Sequence, residues 1–462
     1  MRAIRMKGLA VCFRTTLVAV VMLTAQGALA AALTVDEGFE EALAARGEVR
    51  ALVVLEPTAQ RATNALDTRQ RLDALFDAVP ELKGRVERRF DSFPGFAARL
   101  DAAALEALRK QGGAMRVGFD AGGSGDLLQS IPLAEVTPVQ LAGLTGAGRK
   151  VAILDSGVRL DHQSFTGRII DQACFCSGGS GCCPNGQTTQ FGAGAAADGH
   201  GHGTNVTGIA AGNSVASVPR GVAPGASIVA VRVLDQSNSF CCSSDIIAAY
   251  EWLRINHPDA VVVNASLGTN ARYAGDCDNA ASFTIAFAQV INQLRAGGML
   301  ATVSSGNNGS SVDMQAPACV ASAVSVGAVY DANVGSQSFG SVCTAPTTAA
   351  DQVTCFSNLS TTTDLLAPGA PVTAAGRGSA TGTSTYSGTS MAAPMTAGCI
   401  ALLKEAVPGA SPDAIEAALK ASPVRLSRPT PQRDYPRLHC ADALQRLLGG
   451  DPPLFRDGFE AN

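Results

Sequence analysis

Four short segments between residues 151 and 303 are apolar at nearly every position, and this pattern constrains the fold more than any other feature. A strand with one face in water alternates apolar and polar residues, whereas a strand covered on both faces is continuously apolar. The segments 245–254 and 282–296, which lie between these strands, are predicted helices. The pattern predicts an α/β domain with a doubly wound, mainly parallel sheet. The four segments are 151–154 (VAIL), 227–231 (SIVAV), 260–263 (AVVV) and 300–303 (LATV).

Polar residues follow three of these predicted strands. Asp155 comes directly after the first, 264–268 after the third, and 306–307 shortly after the fourth. In a doubly wound sheet, functional sites gather beyond the carboxyl ends of the strands. We therefore expect these residues to share one site.

A serine flanked by small residues supplies a candidate nucleophile for that site. Ser390 lies in the segment 388–394 (GTSMAAP), where a helix is predicted to begin. A hydroxyl attacks an amide at neutral pH only when a base takes its proton and a carboxylate orients that base. His202, in 201–204 (GHGT), and Asp155, in 151–157 (VAILDSG), provide those groups. Their order of Asp, His and Ser is the one found in the subtilisin type of triad.

These three segments resemble the subtilisin-like serine peptidases, or subtilases, over roughly residues 130–448. The resemblance implies that Asp155, His202 and Ser390 hydrolyse peptide bonds through an acyl-enzyme. It also makes Asn307, in 305–309 (SGNNG), the side-chain donor to the oxyanion, beside the backbone amide of Ser390. Loss of one such donor typically lowers the rate about a hundredfold to a thousandfold. No cofactor is required for this chemistry.

Alternatives to these assignments stay open at the level of sequence. His200 competes with His202 for the role of base, and Asn308 competes with Asn307. A noncatalytic binding or surface module could keep the same fold. An esterase would need a Gly-x-Ser-x-Gly turn, which the residues around Ser390 do not form.

The substrate cleft is predicted from the same resemblance. Ser266, Leu267 and Gly268 would form the edge against which an extended peptide pairs as an added strand. The facing wall would consist of Ser304, Ser305 and Gly306. These small, uncharged walls predict a preference for apolar side chains before the cut, and cuts confined to basic residues in a denatured protein would contradict it.

The first 30 residues have the features of a signal peptide. Four basic residues accompany the apolar run 17–23, and 28–30 (ALA) offers a cleavage site. A membrane anchor is the alternative, but the run is too short to span a bilayer. Of thirteen cysteines only Cys12 lies in this segment, which leaves an even number in a secreted or periplasmic protein. Disulfides are therefore predicted in preference to zinc sites at the cysteine clusters, but the sequence does not determine which cysteines pair.

A change in charge density divides the rest of the chain. Residues 31–120 carry 28 charged side chains in 90 positions, whereas residues 121–462 carry 42 in 342. The first region has a predicted strand-helix-strand-strand-helix-strand order, which suits a small ferredoxin-like α+β fold. The segment 93–100 (FPGFAARL) resembles the inhibitory propeptide of subtilases, and an accessory domain is the alternative.

These observations predict four parts of the precursor. They are a signal peptide (1–30), an inhibitory propeptide (31–124), a catalytic domain (125–448) and a tail (449–462). The segment 121–125 (AGGSG) is the predicted cleavable joint. The expected partners are polypeptide substrates and the propeptide itself. The net charge of −4 disfavours nucleic acid, and no membrane partner is expected after processing.

The chain also departs from the family pattern. Asn205 and Thr207 replace a histidine and an alanine that are usual after the Gly-His-Gly-Thr segment. Ser164 stands where many relatives use a calcium-binding aspartate, so a structural calcium ion stays an open alternative for which the sequence identifies no ligands. The segment 237–242 (SNSFCC) is bulkier than the glycine- and serine-rich edge common at that position.

Overall fold

The computed structural model describes residues 33–36, 38–55, 65–89, 94–119, 127–429 and 432–450. The chain divides into two compact units, residues 1–123 and 124–462. The predicted signal peptide, the joint 121–125 and the segment 451–462 of the predicted tail lie outside the described residues. Among the residues that are described, no helix combines the length and the apolar composition needed to cross a bilayer.

The first unit contains a five-stranded sheet with the order β1-β5-β2-β4-β3. Its strands pair antiparallel except β1 and β5, which are parallel. The predicted order of elements is present, preceded by a short strand and helix that were not predicted, and the ferredoxin-like class stays a prediction. The elements are β1 (Thr34–Val35), α1 (Phe39–Arg46), β2 (Glu48–Leu55), α2 (Ala65–Ala78), a 3-10 turn (Pro80–Leu82), β3 (Val86–Arg89), β4 (Gly95–Asp101), α3 (Ala102–Gln111) and β5 (Met115–Phe119).

The second unit is built on an eight-stranded sheet with the order β17-β14-β12-β10-β6-β9-β7-β8. All neighbours in it are parallel except the edge pair β7 and β8. Four two-stranded sheets, β11-β13, β15-β16, β18-β19 and β20-β21, complete the strands of the second unit. The strands of this unit are β6 (Lys150–Asp155), β7 (Ile169–Phe175), β8 (Thr189–Phe191), β9 (Ser227–Arg232), β10 (Ala260–Ala265), β11 (Arg272–Tyr273), β12 (Leu300–Ser304), β13 (Met314–Gln315), β14 (Val324–Tyr330), β15 (Gln337–Ser338), β16 (Thr344–Ala345), β17 (Leu365–Ala370), β18 (Val372–Ala375), β19 (Thr383–Tyr386), β20 (Arg425–Pro429) and β21 (Gln432–Pro436).

Helices cover both faces of this sheet. Along β6, Val151 and Ile153 join one apolar core together with α6 and α9, whereas Ala152 and Leu154 join a second core with α7 and α8. The predicted doubly wound, mainly parallel sheet is therefore confirmed. The helices are α4 (Leu127–Leu133), α5 (Thr137–Leu141), α6 (His202–Ala211), α7 (Ser243–Asn256), α8 (Ser282–Ala296), α9 (Thr389–Ala406), α10 (Pro412–Lys420) and α11 (Cys440–Leu447), with a 3-10 turn at Gln163–Phe165.

Six disulfides pair twelve cysteines, all of them in the second unit, which confirms the predicted disulfide bonding. The cluster around residue 180 forms two of these bonds, so its sulfurs are not free for a metal ion. The pairs are Cys174–Cys183, Cys176–Cys182, Cys241–Cys242, Cys277–Cys319, Cys343–Cys355 and Cys399–Cys440.

Candidate active site

Asp155 is the last residue of β6, in the interior of the eight-stranded sheet. Its side chain has no exposed surface. The backbone amide of Ser156 donates to Asp155 Oδ1 at 2.8 Å, which fixes the carboxylate relative to the chain. A buried carboxylate needs hydrogen bonds or a cationic partner to stay ionised. The partner of Asp155 is His202.

His202 is the first residue of α6 and lies 7% exposed. Its Nδ1 is 2.7 Å from Asp155 Oδ1. Since an ionised carboxylate only accepts, Nδ1 carries the proton and Nε2 is left with a free lone pair. Burial lowers the pKa of His202, but the charge and hydrogen bond of Asp155 outweigh it, so the pKa is raised above that of an ordinary imidazole. The pair has the geometry of a general base with its orienting carboxylate.

The rival base, His200, has different surroundings. Its ring centroid lies 6.5 Å from that of His202, and its Nδ1 is buried without a hydrogen-bond partner. Within the part of the chain that the structure describes, its hydrogen bond is the one from its backbone amide to Asp198 at 2.9 Å. The geometry therefore brings His202, and not His200, onto Asp155.

Asp198 organises the start of α6, a role that was not predicted from the sequence. Its Oδ1 accepts from the backbone amide of Gly201 and from the Ser156 hydroxyl, each at 2.8 Å. Its Oδ2 accepts from the amide and the hydroxyl of Thr204. The charge of Asp198 also contributes to raising the pKa of His202. An acidic residue four positions before a candidate histidine was the available signal, because carboxylates favour helix N-termini.

Ser390 is the second residue of α9 and is partly exposed. Its hydroxyl contacts the carbonyl of Ser266 at 3.4 Å. Among the described residues, Ser390 and His202 share no hydrogen bond. Catalytic hydrogen bonds in substrate-free sites are commonly long and tighten when the substrate binds. The structure thus joins Asp155 to His202 and leaves the serine hydroxyl on the Ser266 carbonyl.

Asn307 has one orientation that its neighbours allow. The backbone amide of Thr389 approaches one side-chain atom at 2.8 Å, and the Thr389 hydroxyl approaches the same atom at 2.9 Å. An amide N–H only donates, so this atom is the oxygen, and Nδ2 remains available as a donor. A Cβ at Gly388 would lie 3.3 Å from Nδ2, tighter than most such contacts. Glycine there keeps the space beside the donor clear.

Asn308 is occupied elsewhere. Its side-chain oxygen accepts from the amide nitrogen of Asn358 at 3.0 Å, and its backbone amide donates to Asn358 Oδ1 at 2.9 Å. These two bonds hold the loop that follows β12. They make Asn308 a structural neighbour of the candidate oxyanion donor.

A cleft of about 600 Å³ opens beside Ser390 and Asn307. Five of the six predicted wall residues line it, namely Ser266, Leu267, Gly268, Ser304 and Gly306. Ser305 is not among the residues that line the cleft, and its place in the wall stays a prediction. Its side chain is fully buried, and its hydroxyl donates to the Asn358 carbonyl at 2.7 Å, behind the wall.

Further residues complete the cleft; Phe240 comes from the bulky segment 237–242 noted in the sequence, whereas Phe283 and Gln315 were not predicted. Phe240, Phe283 and Gln315 line it, and none of its lining residues among the described ones carries a charge. The wall is neutral and partly aromatic but mostly polar, and the preference for apolar side chains stays a prediction. No pattern in the sequence identified Phe283, because its contribution depends on where α8 packs.

Comparisons with known proteins identify the family. Residues 146–436 match the sequence model of the subtilase family. This match covers more than half of the chain. The chain belongs to the subtilase family. The enzyme class that this membership gives is a serine-type endopeptidase.

Similar proteins include an extracellular proteinase and a subtilisin. The extracellular serine proteinase of Thermus sp. (strain Rt41A) is 35% identical over 275 residues, 60% of this chain and 55% of that protein. Subtilisin NAT of Bacillus subtilis subsp. natto is 32% identical over 335 residues, 71% of this chain and 74% of that protein. The chain thus spans little more than half the length of the first relative.

A solved structure also resembles the chain. A protease from Pseudoalteromonas arctica PAMC 21717 matches with a TM-score of 0.52 and 25% identity. The match covers 70% of this chain and 95% of that protein. The likeness extends over nearly the whole of the solved protease.

Two departures of this subtilase from its family have local explanations. Asn205 donates from Nδ2 to the Ser384 carbonyl at 2.6 Å, so its amide joins α6 to β19. Ser164 is fully buried, and its hydroxyl donates to the Asn213 carbonyl at 2.7 Å. A neutral hydroxyl already used in this way does not fit a calcium site, which needs several oxygen ligands and usually a carboxylate.

One further group of potential metal ligands occurs in the described residues. Cys241, Cys242 and Asp245 lie close together at the start of α7. The two sulfurs share a disulfide, and the carboxylate accepts two hydrogen bonds from Ser177, at 2.7 and 2.8 Å. These contacts occupy the groups that a metal ion would use.

Proposed function

We propose that this subtilase is a secreted serine endopeptidase in which Asp155, His202 and Ser390 act as the catalytic triad. The observation that carries the proposal is the 2.7 Å contact between Asp155 Oδ1 and His202 Nδ1 inside a buried site. It directs the lone pair of His202 Nε2 away from the carboxylate. A base prepared in this way, on the same unit as a serine at a helix start, suits acyl transfer.

The proposed reaction follows from these groups. His202 removes the Ser390 proton as the hydroxyl oxygen attacks the peptide carbonyl, and the oxyanion accepts from Asn307 Nδ2 and the Ser390 amide. The positive end of α9 favours the same charge. The imidazolium then protonates the leaving amine, and water releases the acyl group with His202 again acting as the base. Asp155 stabilises the imidazolium throughout.

We propose further that the chain is made as a precursor that processes itself. Residues 1–30 act as the signal peptide, 31–124 as an inhibitory propeptide, 125–448 as the catalytic domain and 449–462 as a tail. Six disulfides suit an oxidising compartment, and one relative is named an extracellular proteinase. Polypeptides are the substrates, and the propeptide is the intramolecular inhibitor.

The Ser390→Ala variant tests this proposal, with Ser387→Ala as the matched control. Ser387 is exposed on the same segment, three residues before the proposed nucleophile. Ser390→Ala should lose hydrolysis of casein by about 10⁶-fold, the loss that removal of the nucleophile causes in subtilisin. It should also keep residues 31–124 attached and gain no mass from a phosphonylating serine reagent. Ser387→Ala should resemble the unaltered protein in all three measurements, and casein hydrolysis that survives in Ser390→Ala would refute the triad.

A further inference from the structure

The carbonyl of Ser390 lacks the donor that a helix would normally supply. In an α-helix each carbonyl accepts from the amide four residues later. Four residues after Ser390 stands Pro394, inside α9, and proline has no amide hydrogen. Its ring also crowds the carbonyl at that distance along the chain. The residue proposed as the nucleophile therefore carries a carbonyl that must find another partner.

Ser266, directly after β10, provides that partner. Its hydroxyl lies 2.7 Å from the carbonyl oxygen of Ser390. A carbonyl only accepts, so the Ser266 hydroxyl donates. The Ser266 carbonyl in turn is the acceptor that the Ser390 hydroxyl contacts at 3.4 Å. Two contacts thus join these residues, one through each side chain.

Two buried side chains orient the Ser266 hydroxyl. Asn264 Nδ2 donates to Ser266 Oγ at 2.9 Å, and the Thr302 hydroxyl donates to Asn264 Oδ1 at 3.1 Å. Asn264 and Thr302 face each other across the parallel pair of β10 and β12, and neither has exposed surface. Every donor in this series points toward Ser390. Such aligned hydrogen bonds polarise and strengthen one another.

We propose that Ser266 is a positioning residue, whose hydroxyl replaces the donor that Pro394 withholds and so fixes the first turn of α9 against the sheet. Asn264 and Thr302 act through it by orienting its hydroxyl. The role rests on the proposed function, because what is positioned is the hydroxyl and the amide of Ser390. It is distinct from the predicted role of Ser266 in pairing with a peptide, which would use only backbone groups.

A double-mutant cycle separates these roles. Ser266→Ala removes the donor and leaves the backbone intact, so kcat on a peptide amide should fall about tenfold to a hundredfold, the cost of an unsatisfied buried acceptor, with little change in KM. Pro394→Ala returns an amide hydrogen at the position that can reach the Ser390 carbonyl. In the Ser266→Ala background it should therefore recover most of the lost kcat. A purely substrate-binding or generally structural role for Ser266 predicts no such recovery.

Thr302 offers a second pair of variants. Thr302→Val keeps the shape and removes the hydroxyl, so kcat should fall by a smaller factor, about threefold to tenfold. Thr302→Ser keeps the hydroxyl, so its kcat should stay near that of the unaltered enzyme. Equal kcat for the valine and serine variants would overturn the proposal that Thr302 and Asn264 orient the Ser266 hydroxyl.

The same cycle can be measured without catalysis, which separates a failure of this inference from a failure of the proposed function. In the Ser390→Ala background the backbone carbonyl of residue 390 is retained. Ser266→Ala should lower the melting temperature by about 2–4 °C, and Pro394→Ala should reduce that loss. Additive shifts in melting temperature, or a Ser266→Ala enzyme with unchanged kcat, would refute the proposal. If the unaltered enzyme is inactive but the two substitutions have non-additive effects on the melting temperature, only the catalytic assignment is refuted.

Discussion

The imidazole of His202 is subject to two opposing effects. Burial removes water from the ring and disfavours its charged form, whereas the neighbouring carboxylate of Asp155 favours that form. The carboxylate prevails, with a smaller contribution from Asp198, and the pKa of His202 rises. A base of this kind holds a proton strongly enough to take it from a hydroxyl during attack, and it can still release the proton to a leaving amine.

The pH dependence of hydrolysis follows from that direction. The attack requires neutral His202, so kcat/KM should be low below the raised pKa and should increase as pH passes upward through it. The midpoint of this rise, which we call the acidic limb of the kcat/KM profile, should therefore lie above the pKa of an ordinary histidine. Asp155→Asn should lower both the midpoint and the rate, because it removes the charge that stabilises the imidazolium.

His200→Ala is the control for this profile. Since His200 makes no side-chain hydrogen bond to Asp155, its removal should leave the limb in place and most of the activity intact. A limb that disappears in His200→Ala, or one that does not move in Asp155→Asn, would assign the titration to another group. Measurement of kcat/KM on one peptide amide across the acidic range suffices.

At the scale of single residues, the sequence predicted those that stand at a strand end or a helix start. Asp155 and Ser390 were found in this way, because the local element fixes their position. The side chain of Ser305 is buried away from the cleft, which the sequence did not indicate, since neighbours on a loop can face opposite sides and the loop turns at Gly306, which has φ 106°. Asp198 was missed because its role comes from contacts with four residues, of which one, Ser156, lies far away in the chain.

At the scale of elements, the approach of α6 to the end of β6 sets the distance between His202 and Asp155. A Cβ at Gly203 would lie 2.1 Å from the Gly157 carbonyl oxygen and 3.0 Å from Asp155 Cβ. The shorter of these distances is far below any real contact, so any side chain at this position must push the helix away from the strand. The glycine after the base is therefore required by packing.

Gly203→Ala tests this requirement, with Gly409→Ala as its control. The displacement of α6 should lengthen the contact between Asp155 and His202, so kcat should fall about a hundredfold, the scale of loss expected from a misplacement near 1 Å. The melting temperature should fall as well. A Cβ added at Gly409 would meet no atom within 4 Å, so its alanine variant should keep normal kcat and stability. A Gly203→Ala enzyme with normal kcat would show that the helix can adjust.

Four of the eight strands of the large sheet were predicted, whereas β7, β14, β17 and the short strands were not. The continuous apolar pattern predicted β6, β9, β10 and β12, because burial on both faces leaves a mark in the sequence. The two-residue pairs, such as β11 with β13, leave none, since folding brings together segments that lie far apart in the chain. The hairpin of β20 and β21 was also missed, because its strands are rich in arginine and proline.

At the scale of the whole molecule, the two units differ in how they are stabilised. The first unit has a single apolar core in its described residues and contains none of the six disulfides. The second has two large cores, one on each face of its sheet, and two smaller clusters in its described residues, and it contains all six bonds. The bonds Cys277–Cys319 and Cys399–Cys440 close the longest loops, with separations of 42 and 41 residues. Each is worth about 4 kcal/mol by the chain-entropy relation.

Reduction should consequently destabilise one unit and spare the other. The single tryptophan of the chain, Trp252, lies on α7 in the second unit, so its fluorescence follows that unit alone, while circular dichroism follows both. In the Ser390→Ala precursor, a dithiol should lower the fluorescence midpoint strongly, since the two longest bonds alone contribute about 8 kcal/mol, against a typical domain stability of about 5–15 kcal/mol. The remaining dichroism transition should keep its midpoint, because the first unit has no bond among its described residues to lose. Coincident transitions that shift together would mean that the two units unfold as one.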